Sequence, residues 1–182
     1  MAGRLIAIVG PSGVGKDSVM RELAASDPRL GLVERVITRD AALGGEDFIA
    51  VSEEDFASRK ARGEFALDWA AHGLLYGIPK AIESELNQGR DLLVNLSRAI
   101  LPKAQQAFPS LITFLVTASD ETLRIRLKAR GRESAQDIQD RLARAKVSMP
   151  EGVEFIELSN DGHLTDTVQA ALSMLYPEDA LT

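Results

Sequence analysis

The stretch Gly10-Pro11-Ser12-Gly13-Val14-Gly15-Lys16-Asp17 restricts this chain more than any other part of it. It follows the aliphatic run Leu5-Ile6-Ala7-Ile8-Val9 and leads through Ser18 into a helix-compatible segment. The order is strand, glycine-rich loop, helix start, which is the context a phosphate-binding loop needs. Glycines let the backbone turn its N–H groups inward and approach phosphate oxygens without a Cβ in the way. The helix behind adds N–H groups that lack intrahelical partners, together with the positive end of its dipole. Lys16 then supplies a cation to the β- and γ-phosphates. Residues Gly10, Pro11, Ser12, Gly13, Val14, Gly15, Lys16, Asp17 and Ser18 are therefore expected to bind ATP, with Lys16 catalytic. The bland alternative is a glycine-rich turn bearing an exposed lysine. It leaves unexplained why three glycines, the lysine and the preceding strand are all in register.

One position departs from the usual pattern. The residue after the lysine is ordinarily Ser or Thr, whose hydroxyl binds Mg²⁺, and here it is Asp17. A carboxylate so near a triphosphate is repelled unless a cation lies between them. Two readings stand open: Asp17 as a Mg²⁺ ligand, or a tolerated substitution with water completing the metal shell.

Short apolar runs recur along the chain at Leu5–Val9, Val33–Ile37, Asp91–Leu96, Leu111–Thr117 and Val153–Leu158. They show little polar alternation, as expected of strands covered on both faces. Helix starts lie between them. Ser52-Glu53-Glu54-Asp55 and Ser134-Ala135-Gln136-Asp137 have capping-box spacing, with Asp in place of Glu or Gln. Pro79 is expected at the first turn of a helix that Gly89 ends, and Ser119 opens another that stops at Gly131. The alternation predicts an α/β fold, a parallel sheet flanked by helices, with residues 39–77 as a small insert over it.

Composition sets outer limits. With 182 residues the chain is expected to form one domain, and 45% apolar residues suffice for a real core. The 21 basic and 27 acidic residues give −6, a balance unsuited to non-specific nucleic-acid binding or an anionic membrane surface. The absence of cysteine excludes a disulfide framework, a thiol nucleophile and a cysteine-ligated metal. Leu5–Val9 is far short of a membrane span or a signal-peptide core, so a soluble, cytoplasmic protein is expected.

Against that acidic background, residues 124–146 carry eight basic and three acidic side chains. On the second half of this segment Arg141 and Arg144 sit three apart and can point together on a helix, and Gly131 is expected to provide a joint. A solvated helix face is the ordinary explanation of a charge run. Beside a phosphate loop, an arginine-bearing lid at 126–146 fits phosphoryl transfer, which depends on neutralising charge at the transferring group. Arg130, Arg132, Arg141 and Arg144 are thus candidate catalytic residues.

Acceptor-binding candidates come from three further segments. Thr38-Arg39 is followed by Gly44-Gly45-Glu46-Asp47-Phe48, and Arg39 suits a forked contact to phosphate. In Phe65–Pro79, Tyr76 beside Gly77 can donate a hydroxyl, His72 is ambiguous, and Trp69 and Phe65 are expected in the core. Asn95-Leu96-Ser97-Arg98 closes an apolar strand, and open α/β sheets bind ligands at the carboxyl ends of their strands. The substrate-binding set is Thr38, Arg39, Glu46, Asp47, His72, Tyr76, Asn95, Ser97 and Arg98.

On these residues the chain resembles the guanylate-kinase-like branch of P-loop nucleotide kinases over nearly its whole length. The resemblance rests on Gly10–Gly13, Thr38-Arg39, Gly45–Phe48 with Val51-Ser52, Phe65 through Gly77, Arg130–Glu133 and Asn160-Asp161. Within that branch, Gly15–Ser18, Val36–Arg39, Gly44–Asp47, Trp69, Ala71–Gly73, Tyr76–Pro79 and Val94–Arg98 look most like the ribose 1,5-bisphosphate phosphokinase family. That resemblance implies transfer of the ATP γ-phosphoryl group, with Mg²⁺, to the 1-phosphate of ribose 1,5-bisphosphate. True guanylate kinases have Ser or Thr after Tyr-Gly, where this chain has Ile78-Pro79. They also carry Asp-x-Asp on the strand that here ends in Asn95–Arg98. Losing a purine-reading carboxylate undermines guanine discrimination, while a new guanidinium suits a second phosphate. Guanylate kinase remains the alternative activity. A non-catalytic interaction module is opposed by the intact Lys16, loop glycines and arginines.

Overall fold

The aliphatic run ahead of the glycine-rich loop is buried on both faces, and successive side chains feed two different cores. The computed structural model describes residues 2–40, 47–130 and 148–177. In chain order the elements are β1 (Leu5–Val9), α1 (Lys16–Ser26), β2 (Leu30–Leu32), β3 (Arg35–Ile37), β4 (Phe48–Ala50), α2 (Glu53–Ala61), β5 (Phe65–Ala71) and β6 (Leu74–Pro79). There follow α3 (Ile82–Asn87), β7 (Asp91–Asn95), α4 (Leu101–Ala107), β8 (Ile112–Thr117), α5 (Asp120–Arg130), β9 (Ile156–Ser159) and α6 (Leu164–Leu175).

Five strands form a parallel sheet in the order β2-β7-β1-β8-β9. Because side chains alternate across a strand, Ile6 and Ile8 meet Val19 and Leu23 of α1, Leu123 and Leu127 of α5 and Val168 of α6. Leu5, Ala7 and Val9 face the opposite way, toward Ile82 and Leu86 of α3, Leu101 of α4, and Leu67 and Ile78. The last two belong to a second sheet, β4-β3-β6-β5, which therefore packs on the α3/α4 side. This is the P-loop nucleotide-kinase architecture, a central parallel sheet flanked by helices.

Three expectations are corrected. The Val33–Ile37 run is not one strand: β2 ends at Leu32 beside β7, and β3 starts at Arg35 in the second sheet. Between them Val33 donates its N–H to Leu93 O at 2.9 Å while the chain crosses between sheets. Pro79 closes β6 opposite Phe65 instead of starting a helix. The third strand, β3, pairs with β6 only at Tyr76 and Gly77, so the missing N–H of Pro79 forfeits no ladder bond. The Val153–Leu158 run yields a strand only from Ile156, because Gly152 at φ 76° and the Val153 N–H to Pro150 O bond make a turn first. The capping box expected at Ser52 forms only in half: Ser52 Oγ accepts from Asp55 N at 3.0 Å, but the Asp55 carboxylate accepts from Arg59 Nε at 3.0 Å, one helical turn on. The Ser134 capping box lies outside the described residues. Among the described residues, no helix is long and apolar enough to cross a membrane.

Candidate active site

The glycine-rich loop joins β1 to α1, and its conformation depends on glycine at two positions in particular. Gly13 and Gly15 have φ of 87° and 95°, where a side chain is strained. A Cβ on Gly15 would also stand 2.7 Å from Asn160 Nδ2. Gly15 is the residue ahead of α1, and no side chain caps that helix, so its first-turn N–H groups face the loop. Lys16 folds back over the loop, donating from Nζ to Gly10 O at 2.9 Å and Pro11 O at 3.1 Å.

The loop is braced from behind. Val14 O accepts from Asn160 Nδ2 at 2.8 Å and from Arg126 Nη1 at 3.1 Å. Arg126 also donates to Asn160 O at 2.8 Å, and Thr167 Oγ1 donates to Asn160 Oδ1 at 3.0 Å. Asn160 is buried. Thus Arg126, the first residue of the segment expected as a lid, is fixed to the frame, and residues 126–130 end α5.

A cleft of about 640 Å³ opens between this loop, the tip of β7 and the second sheet. It brings together Gly10, Pro11, Ser12, Lys16, His72, Tyr76, Asn95, Ser97 and Arg98 from the expected set. Arg98 starts a 3-10 turn after β7, and burial pushes its pKa below the ordinary arginine value. His72 and Gly73 form a two-residue hairpin turn between β5 and β6, both with positive φ, the geometry of a type I′ turn. His72 is exposed at the cleft's rim.

Other expected residues sit elsewhere. Thr38 Oγ1 accepts from Leu75 N at 2.8 Å and so ties β3 to β6. Arg39 lies with its guanidinium carbon 5.6 Å from the Phe48 ring centroid. Asp47 is exposed and 4.0 Å from Arg21. Asp17 shares with Asp47 and Asn95 a smaller pocket of about 310 Å³, and Asn95 Nδ2 stands 3.4 Å from Asp17 Oδ1. Val14, Gly13 and Gly15 form the loop backbone, and Ser18 is exposed on α1. Glu46, Arg132, Arg141, Arg144 and the side chain of Arg130 lie outside the described residues.

Four lining residues were outside the expected set, Arg35, Trp69, Ala71 and Leu96, and the first two bring a charge and a large ring to the cleft. Trp69, expected in the core, lines the cleft with its ring stacked on Tyr76, centroids 5.2 Å apart and planes 9° from parallel. Phe65 does serve the core, meeting Phe56 at 4.7 Å. Arg35 lines the cleft from β3, and the only hint of it was the charged pair Glu34-Arg35 inside the Val33–Ile37 run. Among the described lining residues there are three permanent cations, Lys16, Arg35 and Arg98, and no carboxylate.

The guanylate kinase family profile matches residues 2–177. The chain belongs to the guanylate kinase family. Its curated relatives include the ribose 1,5-bisphosphate phosphokinase PhnN of Ruegeria sp. (strain TM1040), 48% identical over 98% of this chain and 94% of the relative. The protein of the same name from Pseudomonas fluorescens (strain SBW25) is 46% identical over 96% of each chain. Among solved structures, guanylate kinase from Anaplasma phagocytophilum superposes with a TM-score of 0.73 at 20% identity, covering 97% of this chain and 86% of that one. The solved structure shares the fold, while the curated relatives put the enzyme in the phosphokinase branch of the family.

Proposed function

We propose that this enzyme transfers the γ-phosphoryl group of ATP to the 1-phosphate of ribose 1,5-bisphosphate, giving 5-phospho-α-D-ribosyl 1-diphosphate and ADP. The observation that carries this reading is the charge of the cleft: three cations and no carboxylate among the described lining residues. A purine acceptor is read by groups that pair with its N–H edges, and their loss weakens discrimination severely. An acceptor with two phosphates, in contrast, matches a lining whose permanent charges, among the described residues, are all positive. The names of the curated relatives support the same choice.

An oxygen of the acceptor's 1-phosphate, already ionised at neutral pH, attacks the γ-phosphorus as the bond to the bridging oxygen of ADP breaks. No proton has to leave the nucleophile, so no general base is required. Catalysis then consists of alignment and charge neutralisation. Loop N–H groups and the start of α1 bind the donor phosphates, Lys16 meets the transferring group, and Tyr76, Asn95, Ser97 and Arg98 hold the acceptor. Arg39 completes the acceptor side, and Arg130, Arg132, Arg141 and Arg144 neutralise the transferring phosphoryl group.

The donor set fits Mg²⁺. Among the described residues no cluster of three histidines or carboxylates could hold a metal alone. Asp17, at the first turn of α1, would supply one hard oxygen ligand, which suits an ion held mainly by nucleotide phosphates and water. When bound, Mg²⁺ neutralises charge on the β- and γ-phosphates. ADP release, measured in parallel with ribose 1,5-bisphosphate and with GMP, tests the reading. We expect kcat/KM for the sugar bisphosphate to exceed that for GMP by about 10²-fold or more. Comparable values would restore guanylate kinase.

A further inference from the structure

The three residues of β3 are all buried, yet one of them is an arginine. Arg35 is only 7% exposed, close to its neighbours Val36 and Ile37 at 1% each. Burying a guanidinium forfeits hydration that an aliphatic side chain of similar volume would not forfeit. Arg35 nevertheless lines the cleft. Its guanidinium carbon stands 5.2 Å from the centroid of the Tyr76 ring, and Tyr76 in turn stacks on Trp69. Arginine, aromatic ring and indole thus form one stack along the acceptor side, which fixes the orientation of the arginine fork before any ligand arrives. No carboxylate lines the cleft among the described residues, so an entering dianion meets no repulsion from its walls.

We propose that Arg35 is an acceptor-specificity residue, its guanidinium and the Tyr76 hydroxyl together gripping one phosphate group of the acceptor. A planar fork matches phosphate oxygens two at a time, and a stacked fork loses little freedom when it does so. The inference rests on the proposed phosphoryl transfer to a phosphorylated acceptor, and it adds the residue that selects a doubly anionic group on the second-sheet side. Arg35 is thereby a ligand of the acceptor and contributes nothing to holding ATP.

Trp69 makes the test direct, because it is the chain's one tryptophan and lies in this stack. Acceptor is titrated by Trp69 fluorescence without nucleotide, and steady-state KM values are taken for acceptor and for ATP. Wild type, Arg35→Met and Arg35→Lys are compared. In Arg35→Met the acceptor dissociation constant and KM should rise at least about 30-fold, the range expected for lost hydrogen bonds to a charged group. The KM for ATP should stay within about 2-fold, since its phosphates are held by the loop. Arg35→Lys keeps the charge without the fork and should fall between the two. If Arg35→Met does not fold, the lysine variant decides: a raised acceptor KM with unchanged ATP KM upholds the role. An unchanged acceptor KM, or acceptor and ATP KM rising together, overturns it in favour of a merely structural arginine. The ratio is taken on whichever of ribose 1,5-bisphosphate and GMP the wild type turns over. Failure of the sugar-bisphosphate reading thus appears in the wild type, and failure of the Arg35 role in the variants.

Discussion

Lys16 Nζ lies 2.9 Å from Gly10 O and 3.1 Å from Pro11 O, so its ammonium is already over the loop whose N–H groups would meet the donor phosphates. The side chain is half-buried at the cleft and makes no part of either apolar core. Lys16→Ala should therefore keep the circular dichroism spectrum of the wild type while activity falls by about 10²-fold or more, the loss expected for one transition-state charge partner. Near-normal turnover would remove Lys16 from the mechanism. Its neighbour Asp17 raises a separate question. Asn95 Nδ2 approaches Asp17 Oδ1 at 3.4 Å, which links the α1 start to the tip of β7. Asp17→Asn preserves shape and removes charge, so it should raise the Mg²⁺ concentration for half-maximal rate at fixed ATP. Asp17→Ser should be milder, because it supplies the hydroxyl that phosphate loops usually place there. Superimposable Mg²⁺ titrations for the three proteins would make Asp17 a bystander.

Among the elements, α6 acts on the phosphate loop without touching the cleft. Thr167 on α6 holds Asn160, and Asn160 with Arg126 of α5 fixes the Val14 carbonyl. Thr167→Val should raise the KM for ATP about 3–10-fold, the effect of one buried hydrogen bond passed to the loop, and leave the acceptor KM unchanged. A lowered melting temperature with both KM values intact would reduce α6 to a packing element. This brace also marks where the sequence was silent: partners 146 residues apart in the chain leave no local periodicity. The loop itself was legible because strand, glycines and helix start are contiguous, and the tip of β7 because polar residues end an apolar run. Val33–Ile37 misled because apolar character reports burial and does not say in which sheet. Pro79 misled because its fixed φ suits a strand's last residue as well as a helix's first turn. For Trp69 the expectation was incomplete: it does pack against the apolar cluster, but an aromatic ring half-sunk in a core can also form a cleft wall.

Across the whole molecule the cleft and a charged clamp occupy opposite ends of the same strands. The cleft lies beyond the carboxyl ends of β1 and β7, and the clamp holds their amino ends, about 15 Å away for five-residue strands. In the clamp Asp91 accepts from Arg4 N at 2.7 Å and Tyr176 Oη at 2.8 Å, and Arg4 Nη1 donates to Leu175 O at 3.0 Å. Arg29, paired with Asp27, covers the Tyr176 ring at 3.5 Å. Burial would raise the Asp91 carboxyl, but hydrogen bonds from Arg4 and Tyr176 outweigh it and hold the pKa below the usual value. A carboxylate depressed in the folded state stabilises above its unfolded pKa, so this contribution is complete at neutral pH and fades below about pH 4. Tyr176 behaves in the opposite sense: burial, then the bond to Asp91, pushes its hydroxyl up to about 12. A group raised on folding stabilises below its unfolded pKa of about 10 and loses that contribution as pH climbs toward 12. Tyr176→Phe should therefore lower the melting temperature at pH 7 by roughly 2–4 °C, equivalent to about 1 kcal/mol for one partly exposed hydrogen bond in a chain of this size. The gap between wild type and variant should close between pH 10 and 12, because the unfolded-state hydroxyl ionises from about pH 10 while the folded one keeps its proton up to about 12, so rising pH favours unfolding of the wild type alone. Both KM values should stay as in the wild type, since the clamp and the cleft share only the length of the strands. Thermal unfolding of the two proteins from pH 7 to 12 measures this directly. A gap that stays constant over the whole range would mean that Tyr176 contributes through packing alone and that its hydroxyl holds no part of the clamp.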